Sequence, residues 1–260
     1  MSSRLILTLP VMFFLIGCSI FGNDKDKIKL VADGLTPKEL YEQAEDKVDA
    51  GSIEQAIDQY EIILASYPGS KYAIQARLDI AFNLVKQKKY NRSIITLNQF
   101  IDKYPDIPAT PYAYYLRGVA AEKKSSSILD KLVTDRAQRD VESVREAYSY
   151  FVELIEAFPD SKYSKDAKSK LVILRNILAR HEFYVALYYT DISSNIAAIN
   201  RCKFVIENYP NSASIPDALH LMAYNYDIIN ADQLAIDARK ILISSYPGYS
   251  PNYSIKQKVL

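Results

Sequence analysis

The sequence predicts an all-α protein: a superhelical solenoid of about five helix-turn-helix repeats, with enlarged repeats at its centre. Three observations predict it. An aromatic-proline pair recurs five times, as Tyr67-Pro68, Tyr104-Pro105, Phe158-Pro159, Tyr209-Pro210 and Tyr246-Pro247. Residues at fixed offsets from each proline share a type. Twelve before it stands a small side chain (Ala56, Ser93, Ala147, Ala198, Ala235), and five before it an apolar one (Ile63, Phe100, Leu154, Val205, Leu242). Four before it is another apolar residue (Leu64, Ile101, Ile155, Ile206, Ile243), and eight after each of the first four prolines is alanine (Ala76, Ala113, Ala167, Ala218). Finally, the apolar residues within a unit keep helical spacing.

Each unit reads as two helices. In the stretch from Ile53 to Ser66, the residues Ile53, Ala56, Ile57, Tyr60, Ile63 and Leu64 fall on one helical face. Proline then ends the helix, because its ring and missing N–H cannot continue the hydrogen-bond ladder. Gly69-Ser70, Asp160-Ser161 and Asn211-Ser212 supply turn and N-cap chemistry for the next helix. Small residues at the crossing let two helices approach closely, and a lone short pair cannot bury its apolar faces, so neighbours must stack.

The proline spacings are 37, 54, 51 and 37 residues, so the two inner units are enlarged. No proline or glycine interrupts Lys162 to Tyr189, which predicts one long helix there. The other insertion, 122–140, has a serine cluster and weak apolar spacing, and reads as a partly ordered loop with a helical stretch. Two irregular central units suggest two repeat modules joined by the long helix. The resulting organisation is a signal peptide at 1–17, a lipidated cysteine and flexible tether at 18–34, and repeats 1–2 with the start of repeat 3 at 35–121. The insertion at 122–140, repeats 3–5 at 141–247 and a fraying tail at 248–260 complete it.

The N-terminal boundaries rest on local chemistry. Arg4 precedes the apolar run Leu5 to Ile16, which at 12 residues is too short to span a bilayer. The string Leu15-Ile16-Gly17-Cys18 resembles a bacterial lipobox, which implies cleavage before Cys18 and acylation of that residue. Several acyl chains would hold a soluble domain on a membrane surface, at roughly 0.8 kcal/mol per buried methylene. An ordinary secretory signal with an incidental cysteine is the plainer alternative. In lipoproteins of this type, serine rather than aspartate after the cysteine, here Ser19, favours the outer membrane.

Composition removes several classes of function. Hydrophobic residues make up 49%, too many for a disordered chain. A formal charge of +1 lacks the basic surplus of a duplex nucleic-acid binder. Seven glycines leave little room for phosphate-cradling loops, and two cysteines with two histidines argue against a zinc module. Neither His181 nor His220 has a ligand partner one turn on, so no metal or other cofactor is expected. No nucleophile-base constellation appears, so a non-enzymatic role is expected. Cys202 occupies the slot that holds tyrosine in the first repeat, and is expected to be buried and unreactive.

The repeats resemble the tetratricopeptide family through the spacing of Ala56, Tyr60 and Pro68, and through the small first-helix residues Ala44, Ala81, Gly118 and Ala223. They are divergent, since the family's tryptophan is absent throughout. Other strings lie outside generic repeat positions: 111–118 (PYAYYLRG), Asp160-Ser161-Lys162-Tyr163 with Asp166-Ala167, and Glu182, Val185-Ala186, Tyr188-Tyr189, Asn200-Arg201 and Asp217-Ala218-Leu219. With the lipobox, tether and enlarged middle, these resemble the BamD family, lipoproteins of the bacterial β-barrel assembly machinery. The resemblance implies a lipid-anchored scaffold facing the periplasm from the outer membrane. Its implied partners are a BamA-like barrel protein, accessory BAM lipoproteins and unfolded outer-membrane protein segments.

The resemblance also implies roles for single residues. Arg201, after Asn200, would make a charged contact with the last periplasmic domain of the BamA-like partner; periodicity alone gives a solvated helix-face arginine. Tyr67 would contact substrate segments, although an aromatic before proline recurs in every unit and packing explains it equally. Most of the 21 tyrosines fall at packing positions, while Tyr112, Tyr114, Tyr115 and Tyr184, Tyr188, Tyr189 form clusters that could enrich an interface. Two other functions stay open: a different repeat-containing envelope adaptor, coordinating cell-wall synthesis or division, and a tethered wall-turnover enzyme lacking any visible catalytic constellation.

Overall fold

A computed structural model describes residues 34–126, 137 and 141–256. Cys18, the signal segment, most of the tether and most of the 122–140 insertion lie outside the described residues. Within them are ten α-helices: α1 (Pro37–Asp49), α2 (Ile53–Ser66), α3 (Lys71–Lys86), α4 (Tyr90–Lys103), α5 (Thr110–Lys124), α6 (Glu142–Ala157), α7 (Lys162–Asp191), α8 (Asn195–Asn208), α9 (Ile215–Ile228) and α10 (Asp232–Ser245). The expected all-α tetratricopeptide-type architecture is present. The chain divides into two compact units, with the break inside α3 after Ile74.

The first unit opens with a reciprocal cap. Glu39 N–H donates to Thr36 Oγ1 at 3.2 Å while Thr36 N–H donates to the Glu39 carboxylate at 2.7 Å, and Pro37 supplies a ready-made helical φ. Helices α1 and α2 then bury Leu40, Ala44, Ala56, Ile57, Tyr60 and Ile63. Tyr41 packs its ring 5.5 Å from Tyr60 and 5.6 Å from Tyr72. Buried Gln59 is satisfied from both sides, accepting from Lys47 Nζ at 2.9 Å and donating to Gln43 at 3.1 Å.

In the second unit each helix from α4 onward packs on the next, and α7 also contacts α5 and α9. The five residues twelve before proline are fully buried across the two units, as are Ala76, Ala113, Ala167 and Ala218. Two contacts show why these slots must be small. Ser93 donates its hydroxyl to the Ala81 carbonyl at 2.8 Å, and a Cβ added at Gly118 would lie 2.5 Å from the Phe151 ring. The apolar position five before proline is buried in every repeat; the next residue stays buried at Ile101 but is only half-buried at Leu64, Ile155 and Ile206, and Ile243 is 70% exposed. The 3.6-residue helical period carries that neighbour about 100° round the helix, away from the core.

Both ends of the second helix in each repeat follow a fixed geometry. The aromatic before proline is the C-cap each time, with φ between −125° and −138°, and its N–H donates to the carbonyl four residues back. The turns into α2, α4, α8 and α10 place Gly51, Lys88, Ser193 and Asn230 at positive φ. There the following N–H reaches back five residues: Ser52 to Lys47, Lys89 to Leu84, Ser194 to Tyr189 and Ala231 to Tyr226, at 2.8–2.9 Å. These are Schellman closures, which satisfy the last carbonyls of the preceding helix. The third repeat carries its insertion at the corresponding turn, and α5 runs on to Lys124, into the segment read as inserted. Of that insertion Ala137 is described; it is buried, and its carbonyl accepts from His181 Nδ1 at 2.8 Å.

The long helix expected over Lys162–Tyr189 spans Lys162–Asp191, 30 residues capped by Ser161. It does not join two modules, because the division of the chain falls at Ile74 and α7 lies wholly in the second unit. The reason is packing: α5 and α6 cover one stretch of α7, α8 and α9 another, so the helix is a shared member of one core. The tail also departs from expectation. Two of its side chains are held on the helices, Tyr253 ring-to-ring against Phe183 at 4.9 Å and Tyr249 bonded to Asp217, while the residues between them stay exposed.

Lys88 tests the turn chemistry, since its side chain is exposed while its backbone is left-handed. Lys88→Gly should raise stability by about 0.5 kcal/mol and Lys88→Val lower it by about 1 kcal/mol, read by urea unfolding. Equal midpoints for the two variants would remove the left-handed turn.

Candidate functional site

Asn200 and Arg201 sit on the outer side of α8, which its inward residues orient. Ala198, Ile199, Cys202 and Val205 are buried, so helical spacing turns residues 200, 201 and 203 outward. Arg201 Nη1 donates to Glu182 Oε2 on α7 at 2.8 Å. Glu182 is almost buried, 7% exposed, whereas Arg201 remains 44% exposed. One arm of the guanidinium thus pairs with a nearly buried carboxylate, while the side chain as a whole stays partly exposed. A guanidinium has five donors in a planar fork, so an external carboxylate can still be met side-on. Arg201 is thus a helix-face arginine that also pairs with Glu182.

At the end of α7, Tyr188 and Ile192 are one turn apart and 61% and 51% exposed; on α8, Ile196 is 59% exposed one turn before Asn200. Cys202, behind this surface, is fully buried, and burial pushes its thiol pKa up to about 12. Among the described residues no group of three or more metal-ligating side chains stands together.

Tyr67 lies in the first unit. It is the C-cap of α2, half-buried, and its hydroxyl donates to the Leu35 carbonyl at 2.7 Å. Its polar atom is thus engaged in tying the entry of α1 to the exit of α2. The cluster of Tyr112 and Tyr115 belongs to packing as well: both rings contact Tyr163, at 5.5 and 5.3 Å, and Tyr115 donates to Asp166 at 2.7 Å. Burial and that bond to a carboxylate push the Tyr115 phenol pKa well up.

Two arrangements escaped sequence reasoning. Glu182 and Arg201 both fall in the family-like strings, but their pairing across 19 residues needed the α7–α8 crossing. Arg117, inside the PYAYYLRG string, is a buried pin: it donates to Asn98 at 2.9 Å and to Glu153, between the rings of Tyr114 and Tyr150. A charged residue within an otherwise apolar helical face was the available signal.

These features define a helical-repeat protein whose distinctive side chains serve helix docking and a mixed apolar-charged surface. The chain belongs to the YfiO family of outer membrane lipoproteins, whose sequence model matches residues 33–242. Similar proteins bear the name outer membrane protein assembly factor BamD. That of Neisseria gonorrhoeae is 32% identical, over 94% of this chain and 91% of the relative. That of Xylella fastidiosa strain 9a5c is 31% identical over 88% and 79%, and that of Haemophilus influenzae 30% over 90% and 87%. Among the described residues no helix is long and apolar enough to cross a membrane.

The ion pair predicts an asymmetric cost. Arg201→Ala leaves the Glu182 side chain nearly buried without its partner, and should cost about 1–2 kcal/mol, whereas adding Glu182→Gln restores part of it. Urea unfolding of the single and double variants checks this; strictly additive effects would show the pair to be uncoupled.

Proposed function

We propose that the chain is a lipid-anchored scaffold of the outer membrane, facing the periplasm, in the machinery that assembles β-barrel proteins. It binds the periplasmic part of a BamA-like barrel protein, sits with accessory lipoproteins and receives unfolded barrel segments, catalysing no covalent step. The observation that carries this reading is near full-length similarity to relatives named as outer membrane protein assembly factors. Helical repeats suit the role, because stacked helices offer a long surface for a domain or an extended segment.

Three assignments belong to this proposal. Cys18 carries the lipid, and the polar segment after it spaces the repeats from the bilayer. Asn200 and the free arm of Arg201 form the contact with the BamA-like partner, an electrostatic contact of the kind that sets partner choice and on-rate. Tyr67, held at the entry of the first repeat, offers its ring edge to substrate segments while its hydroxyl stays on Leu35.

Depletion in the cell should lower outer-membrane porin levels, and normal levels after depletion would contradict the proposal. At residue level, Asn200→Arg and Arg201→Glu should each reduce co-purification of the BamA-like protein by about tenfold, the loss of ~1.4 kcal/mol. Asn200 is exposed and bears no part of the Arg201–Glu182 pair, so its variant separates lost contact from lost folding. Unchanged recovery with both variants would remove this part of α8 from the interface.

A further inference from the structure

Residues 246–256 leave α10 as irregular chain and cross α9 and the C-terminal part of α7, all within the second unit. Two tyrosines four residues apart make the attachment. The Tyr253 ring lies edge-on to Phe183 at 4.9 Å, and its hydroxyl is 2.7 Å from His220 Nδ1. The Tyr249 ring lies 5.9 Å from His220, and its hydroxyl donates to Asp217. Beyond them, Lys256 N–H donates to the Asp191 carboxylate at 2.7 Å.

The receiving surface is specific for this kind of side chain. An apolar slot would accept any apolar residue, but Asp217 and His220 each meet a phenol, and a buried hydroxyl without a partner is costly. Burial lowers the pKa of His220, which favours the neutral imidazole that can accept at Nδ1. Phe183, at the floor, is 3% exposed with the tail in place.

The tail itself is weakly fixed. Pro247, Gly248, Ser250, Pro251, Asn252 and Ser254 are exposed, and Tyr249, Tyr253 and Ile255 are only half-buried. Chain-terminal segments held by few side chains, with little regular structure, open at low free energy.

We propose that this tail is an internal occupant of a peptide-docking groove on α7 and α9, displaced when an irregular segment of a partner polypeptide, carrying two tyrosines four residues apart, takes its place. Tethering raises the tail's local concentration to the order of millimolar, so it screens the groove against weak occupants and yields to strong ones. This extends beyond the scaffold role proposed above, since it concerns when a surface is open.

A labelled peptide of residues 247–256 is the probe. It should bind a chain ending at Gly248 and bind the full chain at least about tenfold more weakly, the competition expected of a tethered copy. In the full chain, Tyr249→Phe with Tyr253→Phe should raise peptide binding toward the shortened chain's level. A peptide of unrelated sequence that keeps the two tyrosines at that spacing should compete, and its Tyr→Phe form should not. Equal binding to both chains, no binding to a folded shortened chain, or failure of the unrelated peptide to compete would overturn the proposal. Should the shortened chain not fold, hydrogen exchange on the full chain decides. Amides of 249–256 opening faster than those of α9 support a displaceable tail, and exchange in step with α9 overturns it.

Discussion

The structure depends on how closely two helices can approach within each repeat. Where the second helix crosses, Ala56, Ser93, Ala147, Ala198 and Ala235 are fully buried, and Ala44, Ala81, Gly118 and Ala223 play the same part on first helices. In the second repeat the two sets meet, with the Ser93 hydroxyl on the Ala81 carbonyl. At Gly118 the Phe151 ring occupies the volume that a side chain would need. Close approach lets the larger residues one turn away, such as Tyr60, Leu97 and Phe151, bury themselves in the core.

The long α7 converts that local rule into a surface. It packs against α5 and α6 and against α8 and α9, all within one core. From one rigid helix it presents Asn176 to the turn before α9, Glu182 to Arg201, Phe183 to the tail and Thr190 to Asn225. The orientation of Arg201 is therefore set by a residue of another helix.

Much of this was legible in the sequence because repetition amplifies weak signals. The small, apolar and proline positions recur five times, and helix α2 matches its expected span from Ile53 to Ser66. The turns were less legible: Gly51 announces a left-handed residue, but Lys88, Ser193 and Asn230 adopt the same conformation without glycine, so composition hid a regular feature. The role of α7 also escaped, since an uninterrupted helix has the same pattern whether it links modules or is shared by one core. Of the candidate residues, the sequence separated Arg201 from the inward face but could not supply Glu182, whose pairing depends on helix crossing. The tail was misread because Tyr249 and Tyr253 find partners, Asp217, His220 and Phe183, that lie 29 to 70 residues away along the chain.

Close helix approach at the small-residue slots holds the repeats together. The most direct measurement compares Ala198→Leu, at a fully buried slot, with Ala157→Leu at an exposed helix end, by thermal unfolding. The first should lose about 1–3 kcal/mol or more and the second should change by no more than about 0.5 kcal/mol. Equal melting of the two variants would contradict it.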